Sequence, residues 1–338
     1  MSGYREDVER AARVGLPWEM LEGRRVLVAG ATGLIGGCLV DVLMAHGGIV
    51  VVAMGRDWER ARERFGEYWG RREFVFVTQD VTRRLGYVDR VDYVVHCASG
   101  ASPSAFVGRP VEVVRSNVDG VVNLVEYGMG HGMRRLLYVS SGEVYGDCGG
   151  GMIEEGMSGY VDLERVRSCY PTGKRAGEVL CVAYGDEYGV DVVRVRPAHV
   201  YGPYYSAGDN RVYAQFIRNV LRGEDIVMKS AGCQVRSWCY VVDCVEGMLW
   251  ALTKGEKGEA YNVADNREAV SIVGLAEMVA EIGGVGVVRG EASEEESRGY
   301  NTVGRSVYVT DKLEGLGWRV EGGMRDKMRS TIEAMRKG

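Results

Sequence analysis

The chain has 338 residues, of which 46% are apolar and 26% are charged, an ordinary balance for a globular protein with one large or two medium domains. Its formal net charge is -5, with acidic and basic residues interspersed. The basic face of a nucleic-acid-binding protein is therefore not expected. No run of about 18 apolar residues occurs in the sequence, so no membrane-spanning helix is expected either.

The cysteines favour a reducing compartment. They stand at positions 38, 97, 148, 169, 181, 233, 239 and 244. None forms a Cys-x-x-Cys pair or a zinc-ligand spacing, and most lie in apolar runs, where cysteine packs as a small hydrophobe. A cytoplasmic protein without a metal centre is therefore predicted.

Residues 1–22 are predicted to form a helical extension before the first domain. The segment is charged and lacks the apolar stretch of a secretory signal. It carries apolar residues that can pack on the body of the protein, namely Val8, Ala11, Ala12, Val14 and Leu16.

Residues 23–196 alternate short runs of β-branched residues with helical stretches, which predicts an α/β fold with a Rossmann-type, doubly wound parallel sheet. The runs are nearly continuous in Val, Ile and Leu, as in strands covered on both faces. The predicted strands are Arg25–Ala29, Ile49–Ala53, Phe74–Thr78, Tyr93–His96, Leu136–Ser140 and Val192–Arg196. The predicted helices are Leu34–Met44, Val111–Tyr127 and Lys174–Tyr188.

Residues 197–338 are predicted to form a smaller α+β lobe that holds the substrate, with residues 236–262 returning to the first domain. A loop rich in Gly, Tyr and Pro opens the lobe at Tyr201–Asn210. The further predicted elements are the helices Val212–Leu221, Ser271–Ile282 and Asp326–Met335 and the strand Ile226–Met228.

A glycine-rich turn from Gly30 to Gly36 connects the first strand to the first helix. Gly30 permits a tight turn, Gly33 lets the backbone approach a pyrophosphate, and Gly36 lets the helix pack on the strand. The free N–H groups of the helix start, at Leu34 and Ile35, favour phosphate. This placement predicts a dinucleotide site.

The residue that reads the cofactor ribose is ambiguous. An acidic residue usually ends the second strand and binds the ribose 2′-OH of NAD, but Gly55 stands there. Arg56 could pair with the 2′-phosphate of NADP, and Asp57 could still serve NAD, or both could be solvated surface side chains. Asp80 follows the third strand and is placed to meet the adenine edge.

Tyr170 and Lys174 are four residues apart at the start of a predicted helix, so they share one face. An ammonium beside a phenol lowers the tyrosine pKa from about 10, and such a tyrosine can act as general base on a sugar hydroxyl. Ser141 and Glu143 directly follow a strand, at the edge where parallel sheets bind ligands. Ser141 is predicted to hydrogen-bond the reacting oxygen. Glu143 is predicted to act as an acid or base, or else as a cap or ion-pair partner.

These motifs, with Val200-Tyr201-Gly202-Pro203, resemble the extended short-chain dehydrogenases that act on sugar nucleotides. The narrower resemblance is to the UDP-glucuronate decarboxylase family, and it extends from about Arg25 to Arg336. Four stretches carry it: residues 98–103 with Phe106, Asn117 and Gly120; residues 167–170 with residues 173–175 and Glu178; residues 210–212 with 216–217; and residues 234–237 with 240–241.

The resemblance implies a role for individual residues. Those implied in cofactor binding are Gly30, Gly33, Leu34, Ile35, Gly36, Arg56, Asp57, Asp80, Val81, Ala98, Ser99, Asn117, Ser140, Tyr170, Lys174, Pro197, His199 and Val200. Those implied in substrate binding are Pro103, Ser141, Glu143, Tyr170, His199, Arg211, Val212 and Arg236. Those implied in catalysis are Tyr170, Lys174, Ser141, Glu143 and Arg236, the last of which either assists the chemistry or pairs with a diphosphate.

The sequence departs from the family pattern at three places. The acid that closes strand two is missing, which leaves NADP open beside NAD. His199 stands where the family usually has Asn, which could alter diphosphate or uridine contacts. The family's Arg-x-Pro-Asp stretch near the C-terminus is replaced by Arg305-Ser306-Val307.

The resemblance implies an NAD-dependent lyase that converts UDP-glucuronate to UDP-xylose through a 4-keto intermediate. The alternative is a nucleotide-sugar 4-epimerase or 4,6-dehydratase, although Gly142 replaces the Asp that such dehydratases carry and an epimerase does not need Glu143. A non-catalytic dinucleotide sensor would have no need of the four catalytic residues together. A homodimer through the helices at 111–127 and 174–188 is also implied.

Overall fold

The computed structural model describes residues 3–337; Met1 and Ser2 of the predicted N-terminal extension and Gly338 of the predicted C-terminal lobe lie outside the described residues. The α-helices are α1 Gly3–Ala11, α2 Leu34–His46, α3 Trp58–Arg64, α4 Pro103–Gly108, α5 Pro110–Gly130, α6 Cys169–Glu187, α7 Val212–Arg222, α8 Val241–Lys254, α9 Ile272–Gly283, α10 Glu294–Arg298, α11 Asp311–Glu314 and α12 Met324–Lys337. The strands are β1 Arg25–Ala29, β2 Val50–Gly55, β3 Phe74–Thr78, β4 Tyr93–His96, β5 Arg135–Val139, β6 Met152–Ile153, β7 Val192–Pro197, β8 His199–Tyr201, β9 Ile226–Met228, β10 Val235–Tyr240, β11 Ala260–Val263, β12 Asp265–Ser271, β13 Val287–Arg289 and β14 Arg305–Tyr308.

Seven parallel strands form the large sheet, in the order β11-β7-β5-β4-β1-β2-β3. Alternate residues of each inner strand enter different apolar layers. Val26 and Val28 pack with α2 and α8, whereas Leu27 and Ala29 pack with α5 and α6. Because both faces of the sheet are covered, the strands read as continuous apolar runs. The predicted α/β fold with a Rossmann-type, doubly wound sheet is confirmed.

The strand order reverses between β1 and β4, because the chain builds β2 and β3 outward on one side and β5, β7 and β11 on the other. Such a reversal opens a crevice outside the carboxyl ends of the strands. The segments that follow β1, β4, β5 and β7 therefore surround one site. These segments include the glycine turn and the residues around Ser141.

A second, five-stranded sheet stands beside this crevice. Its central strand β10 pairs in parallel with β8 and β14 and antiparallel with β12, and β14 also pairs with β6. Strands β9 and β13 form a small parallel sheet, and α7 packs against α9. The chain then returns to the large sheet through α8 and β11. The domain boundaries at 23, 197 and 236–262 stay predictions.

Helix α1 packs against α2, α8 and α12. The Tyr4 hydroxyl donates a hydrogen bond to Oδ2 of Asp41 at 2.6 Å, and Arg10 contacts Glu246 at 2.7 Å. Of the apolar residues that the sequence singles out here, Val14 is partly buried and the others are buried, namely Val8, Ala11, Ala12 and Leu16. The extension is thus an integral part of the core.

Helix α6 begins at Cys169, earlier than the sequence predicts, so that Tyr170 lies in its first turn. Pro171 is tolerated there because an N–H in the first turn has no partner inside the helix. Gly173 faces α5, and a Cβ at this position would lie 3.3 Å from the Cα of Val114. The glycine therefore lets the two helices approach closely.

Within residues 3–337, no helix is both long and apolar enough to cross a membrane. The eight cysteines carry free thiols. Across the same residues, no cluster of His, Cys, Asp and Glu is arranged to hold a metal ion.

Candidate active site

The glycine turn after β1 forms a cradle that side chains would fill. Gly30 has a φ of +80°, and a Cβ there would lie 2.7 Å from the backbone of Ala98 at the end of β4. A Cβ at Gly36 would overlap the Gly30 carbonyl oxygen. Gly33 is the N-cap of α2 and has no side chain that could accept from the first amides of the helix. The amides of Leu34 and Ile35 are therefore free to bind a ligand. The turn fits a dinucleotide pyrophosphate.

At the ribose end of this crevice, two acidic side chains lie close to Arg56. Its Nη1 contacts Oε1 of Glu112 at 2.5 Å and lies 3.9 Å from Oδ2 of Asp80. Asp57 caps α3, since its Oδ1 accepts from the Arg60 N–H at 3.0 Å. A 2′-phosphate near Arg56 would therefore meet two carboxylates, which disfavours NADP and supports NAD.

The floor of the crevice is held by Asn117, which is fully buried. Its Nδ2 donates to Ser99 Oγ at 3.1 Å and to the Val113 carbonyl at 2.7 Å. The Tyr138 hydroxyl donates to its Oδ1 at 3.3 Å. Val81, also expected at the cofactor, is buried beside α5 and accepts from Asn123 through its carbonyl.

A cavity of about 380 Å³ opens between the two sheets. It brings together these predicted site residues: Ile35, Pro103, Ser140, Ser141, Glu143, Tyr170, Pro197, His199, Val200, Arg211, Val212 and Arg236. Its lining does not include Lys174, Ala98, Ser99 or Asn117. It also does not include four residues that were expected at the ribose and adenine end of the cofactor, namely Arg56, Asp57, Asp80 and Val81. The residues of the first set line the cavity. Those of the second set lie along the dinucleotide crevice or behind the cavity wall.

The expected lowering of the Tyr170 pKa by Lys174 is wrong for this structure. Burial, reinforced by the charge of Glu143, raises the pKa of Tyr170 to about 12, and the opposing groups are Ser141, Arg211 and Arg167. Lys174 Nζ donates to the Val139 carbonyl at 2.7 Å and lies 6.0 Å from the Tyr170 ring centre. Burial lowers the pKa of this amine to about 7. Spacing on the helix brings the two residues to one face but not into contact.

Glu143 lies in a 3₁₀ turn that begins after Ser141, whose Oγ accepts from the Glu143 N–H at 3.2 Å. Its carboxylate receives both terminal nitrogens of Arg167, at 2.8 and 2.6 Å. Burial acts to raise the pKa of Glu143, but the charges of Arg167 and then Arg236 outweigh burial and hold the pKa below its usual range. Glu143 is therefore an ionised member of an ion pair.

Arg167 is a site residue to which the sequence motifs assigned no role. It lies three residues before Tyr170, and its guanidinium stands over the Phe106 ring, which stacks on Tyr170 at 4.8 Å. Its Nε donates to the Gly299 carbonyl at 3.1 Å. The Arg-Ser-Cys-Tyr stretch was the available signal, but nothing in it identifies Glu143 as the partner.

The remaining cations of the cavity differ in how they are neutralised. Arg211 is paired with Asp209 at 2.5 Å. Arg236 is 2% exposed and donates to the carbonyls of Val235 and Val303, and it forms no ion pair with a carboxylate among the described side chains, which do not include that of Glu295. The pKa of His199 is lowered to about 3 by burial and by Arg236, so the ring is neutral. The cavity therefore carries one uncompensated positive charge, at Arg236.

The sequence profile of the NAD dependent epimerase/dehydratase family matches residues 26–264. The chain belongs to this family. It is therefore an enzyme of the NAD-dependent sugar-nucleotide family, as the sequence predicts. Among curated members, the chain is 36% identical over 258 residues to UDP-glucuronic acid decarboxylase 6 of Arabidopsis thaliana, covering 76% of this chain and 74% of that protein. It is 31% identical over 318 residues to UDP-glucuronic acid decarboxylase 1 of Xenopus tropicalis, covering 93% and 72%.

Solved structures of the family share the fold. A UDP-glucose 4-epimerase of Thermotoga maritima, crystallised with UDP-glucose, superposes with a TM-score of 0.81 at 25% identity and covers 93% of this chain and 99% of that one. A UDP-glucose 4-epimerase of Thermus thermophilus, in complex with NAD, gives a TM-score of 0.78 at 27% identity and covers 92% and 99%.

Proposed function

We propose that this chain is an NAD-dependent decarboxylase that converts UDP-glucuronate to UDP-xylose. One observation carries the proposal: Tyr170, Ser141 and the ion-paired Glu143 share a cavity with Arg236, a buried guanidinium that lacks a carboxylate partner among the side chains that the structure describes. An uncompensated cation favours an anionic substrate. A nucleotide-linked uronic acid is anionic at both its diphosphate and its carboxylate. The curated relatives named above support this choice over a neutral sugar.

The dinucleotide would be held by the residues of the crevice. Gly30, Gly33 and the first turn of α2 would receive the pyrophosphate, and Asn117 and Lys174 would flank the nicotinamide end. NAD, when bound, takes a hydride from C4 of the sugar and later returns it. The remaining chemistry falls to the side chains of the cavity.

Tyr170 removes the proton from the sugar 4-OH, and Ser141 hydrogen-bonds the same oxygen. Because the pKa of the phenol is about 12 in this structure, Tyr170 depends on nearby positive charge to act near neutral pH. Arg211 and Arg167 already act in that direction. Oxidation at C4 then makes the substrate a β-keto acid.

Decarboxylation breaks the bond between C5 and the carboxylate. CO2 leaves, and the electron pair of that bond moves into an enolate whose negative charge rests on O4. Buried donors stabilise such a charge strongly, because they need not reorganise as it forms. Arg236 would supply such a donor, and the ionised Glu143 would assist by holding the Arg167 guanidinium in the same cavity. C5 then takes up a proton from solvent. Tyr170 returns the proton of the 4-OH to O4 as C4 recovers its hydride, which gives the pentose.

The test is turnover of UDP-glucuronate by the purified, NAD-loaded protein, followed as CO2 release and by chromatography of the nucleotide sugar. We expect UDP-xylose and CO2 in equal amounts. Recovery of a C4 epimer that keeps its carboxylate would instead establish a 4-epimerase. That second candidate is favoured by the fold match to the two UDP-glucose 4-epimerases. A 4,6-dehydratase is disfavoured because Gly142 offers no acid.

The assembly expected is a homodimer through α5 and α6. Large apolar side chains on these helices are solvent-exposed in the single chain: Val111 by 71%, Val179 by 67%, Tyr188 by 55% and Val182 by 49%. Pairing of two copies would remove this surface from water. Light scattering should give twice the chain mass, and Val179→Glu should reduce it to the monomer mass. A monomeric wild type would reject this assembly. The cytoplasmic location stays a prediction.

A further inference from the structure

A second buried phenol reaches the catalytic edge of the cavity. Tyr308, the last residue of β14, is 2% exposed and lines the cavity together with Ser141, Glu143 and Arg236. It follows directly the Arg305-Ser306-Val307 stretch, in which this chain departs from its family. Nothing in the motifs of the sequence points to it.

The end of the Tyr308 ring lies against the backbone of Gly142. A Cβ at position 142 would overlap the Tyr308 hydroxyl and would lie 2.5 Å from the ring carbon that carries it. Gly142 has no positive φ that would require glycine. The absence of a side chain at this position therefore serves to admit the phenol.

Several contacts fix the phenol in this place. The Tyr308 N–H donates to Ser237 Oγ at 3.3 Å, and its ring packs on that of Tyr145 with centres 5.8 Å apart. β14 is paired on both sides, with β10 and β6. A side chain held by a paired strand and a packed ring is pre-organised, so it loses little entropy when it binds a ligand.

The electrostatic surroundings keep the phenol protonated. Burial and then the nearby Glu143 charge raise the pKa of Tyr308 above its usual value, and Ser306 and Arg236 oppose the rise only in part. Tyr308 is therefore a hydrogen-bond donor at neutral pH. In the cavity that it shares with Arg236, this hydroxyl is available to donate to an anionic oxygen of a ligand.

We propose that Tyr308 determines substrate specificity by donating a hydrogen bond from its phenol to the carboxylate on C5 of a nucleotide-linked uronic acid. The inference rests on the proposed function. If Ser141 holds O4 and Glu143 faces C5, then the group between them faces the substituent on C5. At position 142 that group is the hydroxyl of Tyr308. A neutral hydroxymethyl group would gain less from this donor than a carboxylate does.

The experiment compares two ligands by calorimetry, UDP-glucuronate and UDP-glucose, on NAD-loaded protein. A Tyr170→Phe background prevents turnover during the titration. Adding Tyr308→Phe removes one oxygen and keeps the ring. We expect binding of UDP-glucuronate to weaken about 10- to 100-fold, the loss typical of a hydrogen bond to a charged group, and binding of UDP-glucose to change by less than about threefold.

Tyr145→Phe is the matched control, since it removes a neighbouring buried phenol that donates to Asn262 Oδ1 at 2.6 Å and does not line the cavity. It should lower the melting temperature and leave the ratio of the two affinities unchanged. Gly142→Ala gives a second readout that keeps the phenol. It should displace the Tyr308 hydroxyl and lower the same ratio.

Equal loss of both ligands in Tyr308→Phe, or an unchanged ratio, would overturn the inference. So would a parent protein that binds both ligands equally well. The proposed function is judged separately, by CO2 release from the wild type. A protein that prefers UDP-glucuronate, loses the preference in Tyr308→Phe and yet releases no CO2 would retain the inference and refute the decarboxylase.

Discussion

Two groups of carboxylates in this molecule, one in the cavity and one beneath α1, have pKa values shifted in opposite directions. In the cavity, Glu143 has Arg167 to itself in a two-pronged contact, and its pKa is lowered. Beneath α1, burial raises the pKa of Asp243 to about 6 and that of Glu246 to about 7, even though Arg10 contacts Glu246 and Lys327 contacts Asp243. The Glu143 side chain is 17% exposed, whereas those of Asp243 and Glu246 are each 2% exposed, so deeper burial beneath α1 accounts for part of the difference.

The rest of the difference lies in how the cations are shared. Beneath α1, Arg10 contacts both Asp243 and Glu246, and the charge of Asp243 raises the pKa of Glu246. In the cavity, cations outnumber carboxylates, because Arg236 is unpaired within the described chain. The two-pronged contact with Arg167 keeps Glu143 ionised, and the surplus cation of the cavity is then available to a ligand. One region is organised for binding anions and the other for joining helices.

The largest difference between substitutions in the two regions should appear in the rate of turnover. Tyr170→Phe removes the proposed base and keeps its stacking on Phe106, so kcat for CO2 release should fall by about 10²- to 10⁴-fold. The melting temperature should change little. Tyr205→Phe is the control, since it alters another buried tyrosine whose hydroxyl has no hydrogen-bond partner in residues 3–337. Full activity in Tyr170→Phe would remove the base from the mechanism.

Breaking the matched ion pair should produce the largest effect on stability. Arg167→Met leaves the Glu143 carboxylate buried without its partner, at a cost of about 3 to 5 kcal/mol in the free energy of unfolding. In the wild type the lowered pKa of Glu143 contributes stability above its unfolded pKa, and this is lost as pH falls through the folded value. In the variant, burial raises the pKa of the carboxylate and Arg236 is the remaining charge that opposes it, so stability should instead fall as pH rises from 5 to 8.

Urea unfolding at pH 5 and pH 8 measures both the loss and its sign. The double variant Arg167→Met with Glu143→Gln should recover most of the stability lost, because no buried charge remains. If the single variant is as stable as the wild type at pH 8, the ion pair contributes nothing and the contrast with α1 fails.

The sequence predicted the strands of the large sheet because their apolar runs are long and strongly β-branched. It missed α8, a helix that is buried on every side, because the buried Asp243 and Glu246 interrupt its apolar run. It missed β11 because four residues without alternation carry too little signal, although the strand completes the large sheet beside β7.

The site was predicted as far as local motifs reach. Ser141, Glu143 and Tyr170 follow strand ends or open a helix, so their meeting follows from topology. The partnership of Glu143 with Arg167 joins residues 24 apart, and Tyr308 reaches Gly142 from a strand of the other sheet. Such contacts depend on side-chain packing, which spacing does not encode. For the same reason the sequence overestimated the contact between Lys174 and Tyr170.

A smaller effect should distinguish the shared cluster beneath α1. The raised pKa of Glu246 means that its favourable contribution is present below about pH 4.3, the unfolded value, and is lost as pH rises through about 7. Glu246→Gln should therefore stabilise the protein by about 1 to 3 kcal/mol at pH 8 and by much less at pH 5. Melting temperatures across this range measure it. Glu67→Gln, which alters an exposed pair with Arg5, should show no such dependence.

The smallest effect concerns the exposed end of the dinucleotide crevice. Arg56 and Glu112 are 55% and 38% exposed at their side chains, so their ion pair contributes about 0 to 1 kcal/mol. Arg56→Ala should change the affinity for NAD less than about threefold. Glu112→Gln should free Arg56 and strengthen NADP binding by about fivefold or less, within the same energy. Fluorescence titration with both cofactors measures these changes. If Arg56→Ala abolished tight NADP binding in an otherwise intact protein, then Arg56 would bind the 2′-phosphate despite Glu112 and Asp80, and an exposed guanidinium would bind an anion as the buried Arg236 is proposed to do.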